Sequence, residues 1–318
     1  MISTVTLNPC TDLTVTVDDL KIEATNHIVG TRRDIGGKGI NVSVALHQMG
    51  YPTKCLGIRF RQDGDSLTSA LGLLGIPFDF VQEDGSMRTN IKIFNRKKRA
   101  MTELNEMGGS VSMKTLDLVT RKICESAAES TILVLAGSVP RGVPRTVYHD
   151  IVQKLNGSGV KVIADVRGDL LANVLCGGVF LIKPNIGELE EAVGRPIHSF
   201  AELIREARNI NNLGVRYVCV SMGIHGAAII GGHECWYASA PDVEVRGLQG
   251  AGDSMVAGMC IAMEKNLTAK EMLRYGTAVC GGSLMREGTL MCTREGLDYM
   301  LARVHPVSVS GDFELPLM

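Results

Sequence analysis

The sequence predicts an α/β fold, a mostly parallel sheet covered by helices. Short apolar runs bounded by turn residues alternate with segments of helical period along most of the 318 residues. In the middle of the chain these runs are apolar throughout, as expected of strands buried on both faces. Hydrophobic residues make up 45% of the chain and aromatics only 4%, so a large core has to be assembled from Val, Ile, Leu, Met and Ala. The 36 glycines against 10 prolines point to tight turns and close backbone approaches rather than disorder.

Residues 2–7 read as the first strand. A helix over 40–49 places Val42, Ala45, Leu46 and Met49 on one face. A short strand follows at 56–58, then a helix over 67–74 that ends at Gly75 and Pro77. The run 131–136 (TILVLA) is a buried strand, followed by a helix over 145–155 and a strand at 160–164. A further helix near 170–175 leads to a strand at 179–182. Helices near 188–192 and 201–211 precede the strand at 217–221. Residues 227–230 and 234–237, joined across Gly231-Gly232-His233, form a hairpin at one sheet edge. A strand-like stretch at 243–245 opens the last, helical part: 254–265, 269–285 and 294–303.

Two stretches break this rhythm. Residues 13–17 with 26–33, and 89–95 with 100–104, alternate polar and apolar as half-exposed strands do. Inserted from about 11–35 and 88–105, they suit a small sheet beside the main one, able to act as a lid; a solvated hairpin has the same periodicity. Arg96-Lys97-Lys98-Arg99 makes a charged tip. The chain shows no repeat, low-complexity run or linker, which leaves one domain over 1–318.

A formal net charge of −1 supplies no global field toward nucleic acid or membrane, so neither is expected as a partner. The nine cysteines include no C-x-x-C pair and sit mostly in apolar runs, which reads as reduced thiols, not a disulfide frame or zinc site. The first residues carry no basic n-region, and no segment approaches the roughly 20 apolar residues of a membrane span. A cytoplasmic, soluble chain is expected. No Gly-x-Gly-x-x-Gly follows the first strand, which counts against a dinucleotide enzyme.

Gly250-Ala251-Gly252-Asp253-Ser254 opens an apolar helix. Small residues let the backbone approach a ligand, free N–H groups at a helix start suit a phosphate, and the helix dipole is expected to keep Asp253 ionised as a proton acceptor. A turn with a capping Asp has the same form. Gly36-Gly37-Lys38-Gly39-Ile40-Asn41 also precedes a helix. It lacks Walker spacing, yet Lys38 can meet a phosphate and Asn41 a hydroxyl; a glycine-rich turn with a solvated lysine is the plain alternative. Gly137-Ser138-Val139-Pro140, Lys183-Pro184-Asn185-x-x-Glu188 and Ser221-x-Gly223-x-x-Gly226 fall where strands end, the place ligands take in open α/β sheets. Asn185 and Glu188 can orient water around magnesium, or simply form a capping box of identical spacing. Asp12 can hold sugar hydroxyls or close a turn, and Arg88 can fork onto a phosphate or remain solvated.

Taken in order, Asn8-Pro9-x-x-Asp12, Gly36-Gly37-Lys38-Gly39-Ile40-Asn41-Val42, Gly137-Ser138-Val139-Pro140, Lys183-Pro184-Asn185-x-x-Glu188-Leu189, Ser221-x-Gly223-x-x-Gly226-Ala227 and Gly250-Ala251-Gly252-Asp253-Ser254 resemble the PfkB branch of the ribokinase superfamily. The resemblance covers residues 2 to about 304. Asn8-Pro9-x-x-Asp12 and the Gly-Gly-Lys-Gly-Ile-Asn-Val run look like its hexose-phosphate subgroup, and Arg88-Thr89-Asn90-Ile91-Lys92 with Thr102-Glu103-Leu104-Asn105 looks most like the 1-phosphofructokinases.

The resemblance implies a ribokinase-like three-layer fold with a small β lid, often paired in a homodimer. It implies ATP-dependent phosphorylation of a ketohexose phosphate, with Asp253 as base and the backbone of Gly250, Ala251 and Gly252 as anion hole. Fructose 1-phosphate is the first candidate; tagatose 6-phosphate and fructose 6-phosphate are the alternatives, and a silent sugar-phosphate sensor is the non-enzymatic one. By resemblance Asp12, Gly37, Lys38, Asn41, Arg88, Asn90 and Ser138 contact the sugar phosphate. Lys183, Asn185 and Glu188 serve the ATP phosphates and Mg2+, and Ser221, Gly223 and Gly226 line the adenosine side. Cys10-Thr11, Asp34-Ile35 and Met107 depart from the subgroup's usual residues, and all three touch the sugar pocket or lid.

Overall fold

The structure, a computed structural model, describes residues 1–288, 290–310 and 313. The first part comprises β1 (Ile2–Thr6), β2 (Cys10–Val17), β3 (Gly30–Gly36), α1 (Lys38–Gln48), β4 (Thr53–Phe60), α2 (Gly64–Leu73), β5 (Phe78–Glu83), β6 (Arg88–Asn95) and β7 (Ala100–Asn105). The middle comprises α3 (Met113–Ala128), β8 (Ile132–Ala136), α4 (Val147–Lys154), β9 (Lys161–Asp165), α5 (Asp169–Val174), β10 (Leu181–Ile182), α6 (Ile186–Val193), α7 (Phe200–Asn212) and β11 (Tyr217–Ser221). The last part comprises β12 (Ala227–Gly231), β13 (Glu234–Ala238), α8 (Ala251–Glu264), α9 (Ala269–Leu284), α10 (Arg294–Leu301) and β14 (Val307–Ser308).

Ten strands form the main sheet in the order β14-β13-β12-β11-β10-β9-β8-β1-β4-β5. From β5 to β11 every pairing is parallel, and β12, β13 and β14 add an antiparallel edge. The central strands β1 and β8 are buried at every position, which is why β8 reads as an unbroken apolar run, while β1 buries Ser3, Thr4 and Thr6 among its apolar residues. One helical layer, with α3, α4 and α7, packs on one face; α1, α8 and α9 cover the other. This is the three-layer arrangement the resemblance implied.

The four-stranded second sheet, β3-β2-β6-β7, is the expected lid. β2 and β6 run parallel in its middle, with Cys10 opposite Arg88 and Asp12 opposite Asn90, so its polar inner face is set by register. The charged tip is held by Arg96 to Asp18 and Lys97 to Asp19. Among the described residues no helix is long and apolar enough to cross a membrane.

The structure corrects several sequence expectations. Residues 243–245 are not a strand, and β3 begins at Gly30, four residues later than the lid stretch was expected to start. Helix α3 and strand β5 have no counterpart in the sequence reading. β5 is an edge strand with an exposed Phe78, and α3 buries Thr115 and Ser126 with its apolar residues, so neither shows a clean pattern.

Helix α8 is buried at every position from Asp253 to Met263 and lies against α9. That approach requires glycine: a Cβ on Gly258 would come within 2.7 Å of the Tyr275 carbonyl carbon. The crossing fixes the start of α8, and with it Asp253, at the end of the sheet.

Candidate active site

The carboxyl ends of β1, β8 and β9, the starts of α1 and α8, and the inner face of the lid enclose a cavity of about 340 Å³. Asp12, Gly37, Lys38, Asn41, Arg88, Asn90, Ser138, Glu188, Gly250 and Asp253 all line it. All seven residues expected from sequence to contact the sugar phosphate are thus brought together.

Asp253 is 6% exposed, and its Oδ2 accepts a hydrogen bond from Asn41 Nδ2 at 2.7 Å. Burial pushes its carboxyl up to about 6, helped by the Asp165 carboxylate and opposed by the Lys38 ammonium and the Asn41 amide. The helix dipole was expected to keep it ionised; loss of water is the larger effect here.

Gly250 caps α8 with φ 71°, the left-handed region that favours glycine. The Ala251 N–H leans toward the Leu248 carbonyl at 3.4 Å. The N–H groups of Gly252 and Asp253 have no hydrogen-bond partner among the described residues. The free backbone donors at this helix start are therefore those of Gly252 and Asp253, whereas the resemblance implied the backbone of Gly250, Ala251 and Gly252.

Lys38 Nζ lies 3.1 Å from Asp165 Oδ1 and Lys183 Nζ lies 3.3 Å from the same oxygen. Burial alone would raise the Asp165 carboxyl, but the two ammoniums, Lys183 and then Lys38, hold it below its ordinary value. For Lys38 burial favours the neutral form, and the carboxylates of Asp165, Asp253 and Glu188 outweigh it, so the ammonium is held well above its ordinary value. Asp165 went unremarked in the sequence reading. Its position at the end of a parallel strand was the available signal.

The lid side holds a second buried cluster. Lys92 Nζ is 2.8 Å from Asp12 Oδ2, and Asn90 Nδ2 donates to Asp12 Oδ1 at 3.0 Å. Asn90 also lies 3.2 Å from Cys10 Sγ, whose thiol is pushed up to about 12, mainly by burial and then by Asp12. Burial and the Asp12 carboxylate thus favour the neutral thiol of Cys10, which lines the cavity. Lys92, the last residue of the Arg88–Lys92 motif, also lines the cavity. Arg88 donates to the carbonyls of Asn8 and Glu106 and to Asn90 Oδ1, and makes no ion pair among the described residues. Asn8 ties the lid to the main sheet, donating to the Met107 carbonyl and to Ser138 Oγ, each at 3.1 Å.

The remaining expected residues stand beside the cavity. Lys183 reaches it through Asp165, and a Cβ on Gly252 would sit 3.4 Å from its Nζ. Asn185 and Glu188 form the reciprocal capping box, Asn185 N–H donating to Glu188 Oε2 at 2.9 Å and Glu188 N–H to Asn185 Oδ1 at 2.8 Å. Ser221 ends β11 and Gly223 and Gly226 lie in the turn after it, all outside the cavity lining, with the Ser221 N–H donating to the Pro184 carbonyl at 3.0 Å. Arg167, exposed on the cavity rim just after β9, and Gln249 were both missed from sequence.

Comparison with known proteins identifies the arrangement. Residues 5–295 match the pfkB family of carbohydrate kinases. The 1-phosphofructokinase of Borreliella burgdorferi is 33% identical over 305 residues, covering 96% of this chain and 97% of the relative. That of Bacillus subtilis is 31% identical over 304 residues, covering 96% and 98%. Among solved structures, phosphofructokinase-2 from Escherichia coli in complex with substrates and products superposes with a TM-score of 0.89 at 26% identity, covering 95% of this chain and 98% of that one. The chain belongs to the pfkB family of carbohydrate kinases and is an ATP-dependent sugar kinase.

Proposed function

From membership of that family, we propose that this chain transfers the γ-phosphate of ATP to a ketohexose phosphate, converting fructose 1-phosphate to fructose 1,6-bisphosphate. The observation that carries the reading is Asp253, buried at the start of α8 beside free backbone N–H groups and facing a sugar-sized cavity. The attacking sugar oxygen bonds to phosphorus as the bond to ADP breaks, and its proton passes to Asp253. A carboxyl near 6 is mostly ionised at neutral pH and still basic enough to take that proton. The N–H groups of Gly252 and Asp253 face the charge developing on the transferred phosphoryl group, where positioning and electrostatics dominate.

Arg88, free of carboxylate partners, is the anchor for the phosphate the sugar already carries, while Asp12 and Asn90 orient its hydroxyls and Ser138 and Gly37 close the pocket. Lys38 is better placed to follow the transferred phosphate, since it sits under the influence of both Asp165 and Asp253. Lys183, with Asn185, serves the ATP phosphates, and the turn bearing Ser221, Gly223 and Gly226 serves the nucleoside. No group of three acidic, His or Cys side chains among the described residues forms a metal cage, whereas Glu188 stands on the cavity wall near Asn185. Glu188 with Asn185 would hold a Mg2+ through water, and the ion would supply charge neutralisation to the ATP phosphates.

The relatives named 1-phosphofructokinase favour fructose 1-phosphate. The closely superposing phosphofructokinase-2 supports fructose 6-phosphate as the second reading. ADP release measured with fructose 1-phosphate, fructose 6-phosphate and tagatose 6-phosphate decides: the highest kcat/KM is expected for fructose 1-phosphate, and preference for another sugar replaces that assignment. The exposed Ile28, Met101 and Leu104 of the lid support pairing of two copies, which sedimentation of the full chain would report as a dimer.

A further inference from the structure

Most polar side chains on the inner wall of the cavity are already engaged. Asn8 holds Ser138, Asn41 holds Asp253, Asn90 and Lys92 hold Asp12, and Thr6 Oγ1 accepts from the Ile40 N–H. Gln249 differs. It lies directly before the anion loop and lines the cavity with Asn41, Gly250 and Asp253. Its Oε1 is buried with no hydrogen-bond partner, and its Nε2 has none among the described residues. A buried amide oxygen left without a donor is unfavourable, and such groups in folded proteins normally find a partner.

We infer that Gln249 is a specificity-determining contact that grips a hydroxyl of the bound sugar next to the phosphorylated position. The inference deepens the proposed function and rests on it. The ligand group must satisfy both ends of the carboxamide. A hydroxyl can donate to Oε1 and accept from Nε2, whereas a phosphate oxygen can only accept and would leave Oε1 unpaired. The placement agrees: Gln249 directly precedes the loop that leads into Asp253, whereas Arg88 belongs to strand β6 of the lid. Gln249 therefore reads the stereochemistry around the acceptor hydroxyl, while Arg88 reads the distant phosphate.

Gln249→Leu removes both hydrogen-bonding ends at similar volume. The KM for the preferred sugar phosphate is expected to rise about ten- to a hundredfold, with the KM for ATP changed by less than about twofold. The Tm of the ligand-free protein is expected not to fall, because the substitution removes an unpartnered buried atom. A deoxy analogue lacking the contacted hydroxyl should be rejected by the unmodified chain and no longer distinguished by the variant. An unchanged sugar KM overturns the inference, and so does a parallel rise in both KM values with a lower Tm, which marks a purely structural residue. Failure of the unmodified chain to turn over any of the three sugar phosphates strikes the proposed function instead. Calorimetric titration of the same sugars into both proteins then still decides the Gln249 contact.

Discussion

Asp165 ends β9 and Asp253 begins α8, and both carboxylates are removed from water, at 0% and 6% exposure. Their surroundings separate them. Asp165 has an ammonium on each side, Lys38 and Lys183, and is held ionised. Asp253 has one amide donor, and burial raises its affinity for a proton. Two identical side chains thus become a fixed counter-charge and a carboxyl of raised proton affinity, the one proposed as base, because partners rather than burial decide which form survives. The same contrast holds across the cavity, where Asp12 is fixed by Lys92 and Asn90 on the lid.

The strongest way to break the contrast is to neutralise each aspartate in turn. Asp253→Asn keeps the shape and the Asn41 contact but cannot take a proton, so kcat is expected to fall about 10²–10⁴-fold. Near-normal turnover in a steady-state assay removes Asp253 from the chemistry. The same variant should be the more stable protein at neutral pH. Its folded carboxyl is raised, so the stability Asp253 contributes is present in acid and is lost as pH rises through about 6. Above that pH the Asn variant is expected to gain on the order of 1–3 kcal/mol, a Tm difference that closes below about pH 4.

Asp165→Asn should do the reverse. It strands two ammoniums, one of them on a Lys183 side chain only 5% exposed, and is expected to destabilise by about 3–5 kcal/mol at neutral pH. The depressed carboxyl contributes stability above its unfolded value near 3.9 and loses it as pH falls, so this gap too should close in acid. Denaturant unfolding of both variants at pH 8 tests the pair. Equal losses of stability would mean that the two sites are not electrostatically distinct.

Most of the main sheet was legible because its central strands are buried on both faces, as the run from Ile132 to Ala136 shows. The lid was legible as alternation, but the start of β3 slipped because the apolar Ile28 and Val29 run into it, with the Val29 N–H donating to the Thr16 carbonyl at 2.9 Å just before the strand begins. Residues 243–245 look like a strand by composition, yet they find no neighbour at the sheet edge, which β12 to β14 occupy. In the site, motif residues were legible and their pairings were not. Nothing local in the sequence says that Lys38 and Lys183 share Asp165, 127 and 18 positions away, or that Lys92 neutralises Asp12. Charge pairing across a fold is a product of topology, and it is what distinguishes Asp253, the proposed base, from its neighbours.

The finest test of the contrast leaves both aspartates in place. Asn41 Nδ2 stabilises the ionised form of Asp253, so Asn41→Ala removes a donor that lowers the carboxyl's proton affinity. In the unmodified chain kcat should fall about tenfold per pH unit below about 6, as the base takes up its proton. In Asn41→Ala that acid limb should move to higher pH by about one unit or less, while kcat on the alkaline plateau falls only modestly, since the base itself remains. Lys38 still opposes the shift, which is why it stays small. A limb that does not move would mean that Asn41 only positions Asp253, and that burial and the two lysines alone set its proton affinity.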